Sequence, residues 1–451
     1  MERLRRFLIT EKFFVAFAIL AFFVDLVTTG STFALACGIL GLAVLIGIIL
    51  LVSEDLMPFL ASILITGLLA SRCYDGFNIF MKGPLVFATI PVGVFVVGAL
   101  LYNFIRFRKK AKPGRSLRGI LAVTVAVTLG GLGKISFSDY ISAAYYVVFL
   151  GIGMVALYFV MKSRFHEREE YNIREKFAAV LCVMGVFAAA LTLKSFLVDL
   201  GPILEAGAVP DWKFRNNFAT FMIIAMPAPL MFAKKRRFML LLPVFIYVAM
   251  ILLGSRGGLL MGAAELVCCF IFMSVADRKY RGAYIAVIIA FAVVLAFASG
   301  VIFDYFSSRT GGGLIDTGEQ RFRLMLRSMA DFLDAPVFGQ GLGYKGNYDI
   351  YTPKTGAMGW YHMMIPQIIG SMGMIGVLAY GFQLLNRLKL VLKSKRYDAW
   401  VLCVSYLGLF FMSQVNPGIF CPLPYELLAV VIFILIEGDS PAPEWEFLDP
   451  A

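Results

Sequence analysis

The chain has 451 residues, 60% apolar and 16% charged, with a formal net charge of +12. A soluble chain is about 45–50% apolar and about 25% charged. The composition therefore excludes a soluble enzyme, a disulfide-knotted secreted domain and a disordered chain. The apolar residues come in runs near the roughly 20 residues that cross ~30 Å of hydrocarbon. They do not alternate, which excludes a membrane β-barrel. The expected fold is all-α, a polytopic integral membrane protein.

In chain order the apolar segments are 13–29, 32–52, 57–71, 84–105, 119–132, 141–161, 177–197, 217–233, 238–254, 258–275, 283–303, 363–385, 399–415 and 425–437. Those at 57–71, 119–132 and 425–437 are short, so 12–14 transmembrane helices are expected. With the N-terminus inside, 28 of the 41 lysines and arginines fall in 1–12, 106–118, 162–176, 234–237, 276–282 and 386–398. This is the positive-inside pattern. It places both termini in the cytoplasm, and it assigns the basic balance to topology rather than to nucleic acid. No small-residue cleavage site follows the first apolar run, which reads as a signal anchor. Cys37, Cys182, Cys268, Cys269 and Cys403 lie in apolar segments, where thiols behave as small hydrophobes. Cys73 and Cys421 fall in outward loops, and a pairing between them is left open.

The segments divide the chain into eleven helices over 1–303, an outward loop over 304–362, three helices over 363–437 and a cytoplasmic tail over 438–451. A 59-residue loop is long for a compact protein. It opens on a glycine run at 311–313. Phe322, Met325, Leu326, Met329, Phe332 and Leu333 then recur at helical spacing, with Arg321, Arg327, Ser328, Asp331 and Asp334 largely on the other face. With Thr317 as N-cap and Pro336 as terminator, the spacing predicts an amphipathic helix over about 318–334, on the outer membrane interface or capping the bundle. Gly339, Gly341 and Gly343 follow without a preceding strand. They indicate a tight turn or a close backbone approach rather than a dinucleotide fingerprint.

Candidate residues gather at the outward ends of helices. Arg256, in Gly254-Ser255-Arg256-Gly257-Gly258 at a hairpin tip, is either an anion clamp or a snorkelling anchor. Arg321, Arg323 and Arg327 suit a diphosphate, since a guanidinium binds two phosphate oxygens at once; a solvated face is the alternative. His362 opens the twelfth segment beside Trp360 and Tyr361, as a general base or an interfacial residue. His166 sits in a charged inward loop. Asp25, Glu265 and Glu426 lie in or near apolar runs, where ionisable groups are functional candidates. Glu265 lies nine residues past Arg256 and reads as a buried partner for another helix. No Cys/His cluster has metal-site spacing.

These residues, in this order, resemble the O-antigen ligase and O-antigen polymerase family of bacterial polysaccharide assembly. Four places carry the similarity: Arg215-Asn216-Asn217-Phe218-Ala219; Ser255-Arg256-Gly257-Gly258; Arg321 fifteen residues before Pro336, with Gly339, Gly341 and Gly343 beyond; and His362, eleven and fourteen residues before Gly373 and Gly376. The matching part spans about 210–385. The chain departs from the family pattern at Met325, Met363 and Ser371.

The resemblance implies a GT-C-like, inverting, metal-independent membrane glycosyltransferase without a cofactor. Its donor is a polyprenyl-diphosphate-linked glycan, and its acceptor is a second glycan or a lipid-linked molecule. The site would face outward from the bacterial plasma membrane. His362 would take the acceptor's proton or orient its hydroxyl. Arg256 and Arg321 would stabilise the leaving diphosphate. Arg323, Arg327 and Asn217 would bind diphosphate or glycan. A competing class is a transporter or flippase of lipid-linked glycans.

Overall fold

The computed structural model describes residues 2–73, 76–81, 83–107, 110–165, 172–198, 215–309, 314–344, 361–394, 396–416 and 418–438, with backbone alone at 76–78, 301–309, 314–318 and 422. His166, Trp360 and residues 311–313 lie outside this set, as does nearly all of the expected tail. The helices in chain order are α1 (Glu2–Leu8), α2 (Glu11–Val27), α3 (Thr32–Val52), α4 (Met57–Ala70), α5 (Leu85–Phe107), α6 (Ser116–Leu129), α7 (Phe137–Ser142), α8 (Ala144–Leu150), α9 (Ile152–Lys162) and α10 (Ile173–Val198). They continue as α11 (Arg215–Ala225), α12 (Leu230–Ala233), α13 (Leu241–Leu252), α14 (Arg256–Ala276), α15 (Arg281–Arg309), α16 (Leu314–Asp334), α17 (Met364–Lys393), α18 (Tyr397–Met412) and α19 (Leu427–Glu437).

Every apolar segment in the sequence becomes helix, and no strand occurs among the described residues. Fewer helices than expected are full spans. Among the described residues eight are long and apolar enough to cross a membrane, or nine if α1 and α2, bent by 76°, form one span. Most of the others fail on length, and α16, with 21 residues, fails on its polar and charged content. α4 and α6 have 14 residues each, about 21 Å of rise, short of ~30 Å of hydrocarbon. The protein is thus an all-helical polytopic membrane protein with several helices too short to span it alone. All seven cysteines are free thiols.

The chain forms two compact units. The first comprises 1–110 and 163–269, and the second 111–162 and 270–451. In the first, α10 is central and packs on α2, α4, α11 and α13. Its apolar stretch is 72% buried, against 11% for the peripheral α5. α5 lies along α3 where Gly47 leaves room for the Phe95 ring; a Cβ there would come within 2.3 Å of it. Asn103 of α5 donates to the carbonyls of Leu50 and Ser53, at 2.5 and 2.7 Å, satisfying acceptors that the end of α3 leaves open. Asp25 is buried and held by Arg72 and by Lys194, the latter at 2.8 Å.

Glu265 of α14 is fully buried. Both of its carboxyl oxygens lack a hydrogen-bond partner among the described residues. The expected partner on another helix is therefore not found there.

In the second unit α17 runs along α6, and α19 packs between α9 and α18. Glu426 is paired. Arg387 donates to its carboxylate at 2.7 Å and to the Tyr406 hydroxyl at 2.9 Å, and lies over the Tyr406 and Phe433 rings, 4.9 Å from each centroid. Glu437 accepts from the Ser116 amide and hydroxyl and from Tyr158, at 2.6–2.8 Å. The end of α19 thereby caps the start of α6.

Candidate functional site

The four motif segments meet in two pairs, one in each unit. In the first unit, Ser255 accepts from the Gly258 amide at 3.0 Å, so it caps α14. The same hydroxyl donates to the Asn216 side chain at 2.8 Å. Gly258 lets α14 approach α11; a Cβ there would sit 2.6 Å from that of Ala219. The turn before α14 needs Gly254 at φ 72°. Asn216–Asn217 and Ser255–Gly258 therefore form one assembly. Asn217 and Arg256 are both half-buried, each in the first turn of its helix.

The other pair is built on α16 and α17. α16 begins at Leu314, so Thr317 lies within its first turn rather than capping it. α16 packs on α17, and the face turned inward is not the apolar one. Leu324, Ser328 and Asp331 are buried. Phe322, Met325, Leu326, Met329 and Leu333 are exposed, Leu333 by 75%. The expected amphipathic helix exists, but its packed face carries Ser328 and Asp331 beside Leu324, and most of its apolar stripe is exposed.

Those polar side chains form a closed network. Asp331 accepts from the Tyr361 hydroxyl at 2.7 Å and from Arg327 Nε at 3.1 Å. Ser328 donates to the Pro366 carbonyl at 2.9 Å. The Tyr361 amide donates to Gln367 Oε1 at 3.0 Å, and Gln367 donates to Ser371 at 2.9 Å. Tyr361 is fully buried with its ring against Gly370, where a Cβ would come within 2.6 Å. Burial, reinforced by the Asp331 charge, raises the Tyr361 pKa well above the ordinary phenol range.

Gln340 donates to Asp334 at 2.6 Å, and Lys134 pairs with the same carboxylate at 3.1 Å. These two partners hold Asp334 below the usual carboxylate range.

The glycines serve a backbone contact. α17 is broken at Gly373, which has φ 59° and ψ −148°. The segment after α16 crosses this break. Gln340 and Gly341 donate to the Gly370 and Ser371 carbonyls at 2.9 Å, and Met374 donates to the Pro336 carbonyl at 2.8 Å. A Cβ on Gly373 would sit 2.7 Å from both the Gly339 nitrogen and the Pro336 oxygen; one on Gly339 would sit 2.4 Å from the Met372 nitrogen. Gly339, at φ 65°, and Gly373 are thus the two sides of one contact, as the expectation of close backbone approach requires.

This frame places Arg321 and His362. Arg321 Nη1 donates to the His362 backbone carbonyl at 2.6 Å. His362 has φ 56°, the one positive φ outside glycine among the described residues. L-residues enter that region at a cost of about 1–2 kcal/mol, and such strain persists where neighbours over-determine it. Here buried Tyr361 fixes the preceding residue. Met364 donates to the Ser413 carbonyl at 2.8 Å on the other side, and Arg321 holds the carbonyl between them. The imidazole is half-buried at the start of α17.

Arg323 and Arg327 are engaged within their own helix, with Glu319 at 2.5 Å and Asp331 at 3.1 Å. Burial works against the Arg327 charge, and the Asp331 contact outweighs it, raising the Arg327 pKa further. Asp331, Tyr361, Gln340 and Gln367 escaped the sequence reading. For Asp331 the signal was the polar stripe of 318–334; Gln340, Tyr361 and Gln367 lie outside that stripe, and no local sequence pattern marks their partners. Among the described residues no three His, Cys, Asp or Glu side chains gather as metal ligands. No family model, curated protein or solved structure matches this chain.

Proposed function

We propose that the protein is a membrane glycosyltransferase of the O-antigen polymerase or ligase type, acting on a polyprenyl-diphosphate-linked glycan at the outer face of a bacterial plasma membrane. The observation that carries this reading is the meeting of Arg321 with His362. The two residues are 41 positions apart, and the resemblance names both. They share a backbone contact on a preorganised frame beside an apolar stripe suited to a membrane interface.

In this reading the acceptor hydroxyl attacks the anomeric carbon. The bond from that carbon to the diphosphate oxygen breaks, and inversion follows from attack on the opposite side. The His362 imidazole takes the hydroxyl proton. Arg321 offers fixed positive charge to the departing diphosphate. For Arg256 and Asn217, held in the Ser255–Asn216 assembly of the first unit, the roles are those the resemblance implies: diphosphate for Arg256, diphosphate or glycan for Asn217. Arg323 and Arg327, which pair with Glu319 and Asp331 within α16, bind diphosphate or glycan in this reading.

Surface-glycan profiling tests this. A deletion strain is complemented with wild type, Arg256→Ala, Arg321→Ala or His362→Ala at matched membrane levels. Single repeat units in place of a ladder identify a polymerase. Polymer held on its carrier lipid identifies a ligase. Normal profiles from all three variants overturn the proposal.

One observation favours the transporter reading: Glu265, buried at membrane depth without a hydrogen-bond partner among the described residues. Intramembrane carboxyls of this kind mark ion and substrate paths. A transport defect in Glu265→Gln, with His362→Ala fully active, would favour it.

A further inference from the structure

We infer that the first unit carries a binding site for an anionic glycerophospholipid, with one acyl chain in a groove between α2 and α10 and its phosphate on the basic run 234–237. This inference does not depend on the glycosyltransferase reading.

α2 and α10 lie side by side and are clasped at both ends. Lys176 pairs with Glu11 at their N-terminal ends, and Lys194 pairs with Asp25 near their C-terminal ends. The two pairs therefore set the helices parallel. The clasps lie 14 residues apart on α2 and 18 on α10, about 21 and 27 Å of rise, close to the depth of a hydrocarbon layer.

Between the clasps is an open groove of about 410 Å³, lined entirely by apolar side chains. Val15, Ala18 and Phe22 of α2, Val183 and Val186 of α10, and Leu242 of α13 form its walls. Its size is at the lower end of ligand pockets: room for one acyl chain and far too little for a long polyisoprenoid. Val15, at 44% exposure, and its neighbours open it towards the surrounding lipid.

Charge chooses the headgroup and the end. Leu242 follows the run Lys234-Lys235-Arg236-Arg237 by five residues, and all four basic residues are exposed. They stand at the Glu11–Lys176 clasp: Lys235 pairs with Glu175 at 3.5 Å, and the Arg236 charge acts on Glu11. A cluster of four basic residues beside a membrane helix attracts anionic headgroups, each residue adding about 1 kcal/mol. A positive-inside signal needs the charges alone. The apolar groove opening beside them is the second feature, and it is what a bound lipid requires.

The test uses the full-length protein in phosphatidylcholine nanodiscs. These are doped with a phosphatidylglycerol probe or a phosphatidylcholine probe carrying the same photoactivatable acyl chain. Phosphatidylglycerol is expected to label α2 and α10 peptides at least about fivefold more than phosphatidylcholine. Lys234→Gln/Arg236→Gln/Arg237→Gln should equalise the two probes. Val183→Trp, which fills the groove and leaves every charge in place, should abolish labelling there at an unchanged melting temperature. Equal labelling by both probes in the wild type overturns the inference. So does labelling spread evenly over all lipid-facing helices, or Val183→Trp labelling like the wild type.

Discussion

Arg321 binds the backbone of His362: the guanidinium donates to the carbonyl at 2.6 Å. The histidine side chain can thus be removed without releasing the arginine from its partner. His362→Ala is expected to lower glycosyl transfer by about 100-fold or more, the range of a lost general base, with little change in hydrogen exchange over 361–364. Arg321→Ala should lower transfer and also raise exchange in that segment. Equal exchange in the two variants would contradict the assignment.

The contact between Gly339 and Gly373 makes a sharper structural prediction. A methyl on Gly373 meets the Gly339 nitrogen and Pro336 oxygen at 2.7 Å, on a residue with positive φ. Gly373→Ala should destabilise the protein by about 2 kcal/mol or more. Gly381, further along the same helix, has open space around its would-be Cβ. Gly381→Ala should be neutral or stabilise by up to about 1 kcal/mol. Thermal unfolding in detergent compares the two directly.

Tyr361 ties the segment before α17 to Asp331. Its pKa in the fold is raised, by burial first and then by the Asp331 charge. The bond's contribution is therefore complete below the unfolded phenol pKa of about 10 and is lost as pH rises through the higher folded value. Wild type should lose stability above about pH 10 more steeply than Tyr361→Phe. At pH 7 that variant should be destabilised by about 1–2 kcal/mol. Parallel pH-melting curves for the two proteins would refute the role given to this bond.

The buried pair Arg387–Glu426 is structural. Removing one charge strands the other, so Glu426→Ala should cost about 3–5 kcal/mol. Transfer activity in whatever protein folds should be unchanged, as read by specific activity per correctly folded molecule.

Much of the fold was legible because lipid imposes a simple rule. Segments such as 32–52 and 84–105 are apolar all round, and only a helix satisfies their backbones. Full spanning was less legible, since apolarity does not fix where a helix stops: 57–71 and 119–132 end as 14-residue helices. For the site, the residue types were readable and their partners were not. The stripe 318–334 revealed an amphipathic helix, but hydrophobic periodicity cannot say that Ser328 and Asp331 face protein while Leu333 does not. Spacing exposed the glycines, yet the crossing of 336–341 over the break at Gly373 is a long-range contact. Nor does sequence predict that an ordinary histidine is held at φ 56°.

The central claim is glycosyl transfer from a lipid diphosphate. Its most direct measurement is release of polyprenyl diphosphate from a synthetic polyprenyl-diphosphate-linked oligosaccharide by the purified protein in lipid vesicles with an acceptor glycan present. The account predicts release matched by elongated or transferred glycan, lost in Arg321→Ala and His362→Ala, and unaffected by Gly381→Ala. Donor that crosses the vesicle membrane intact, with no diphosphate released, would contradict it.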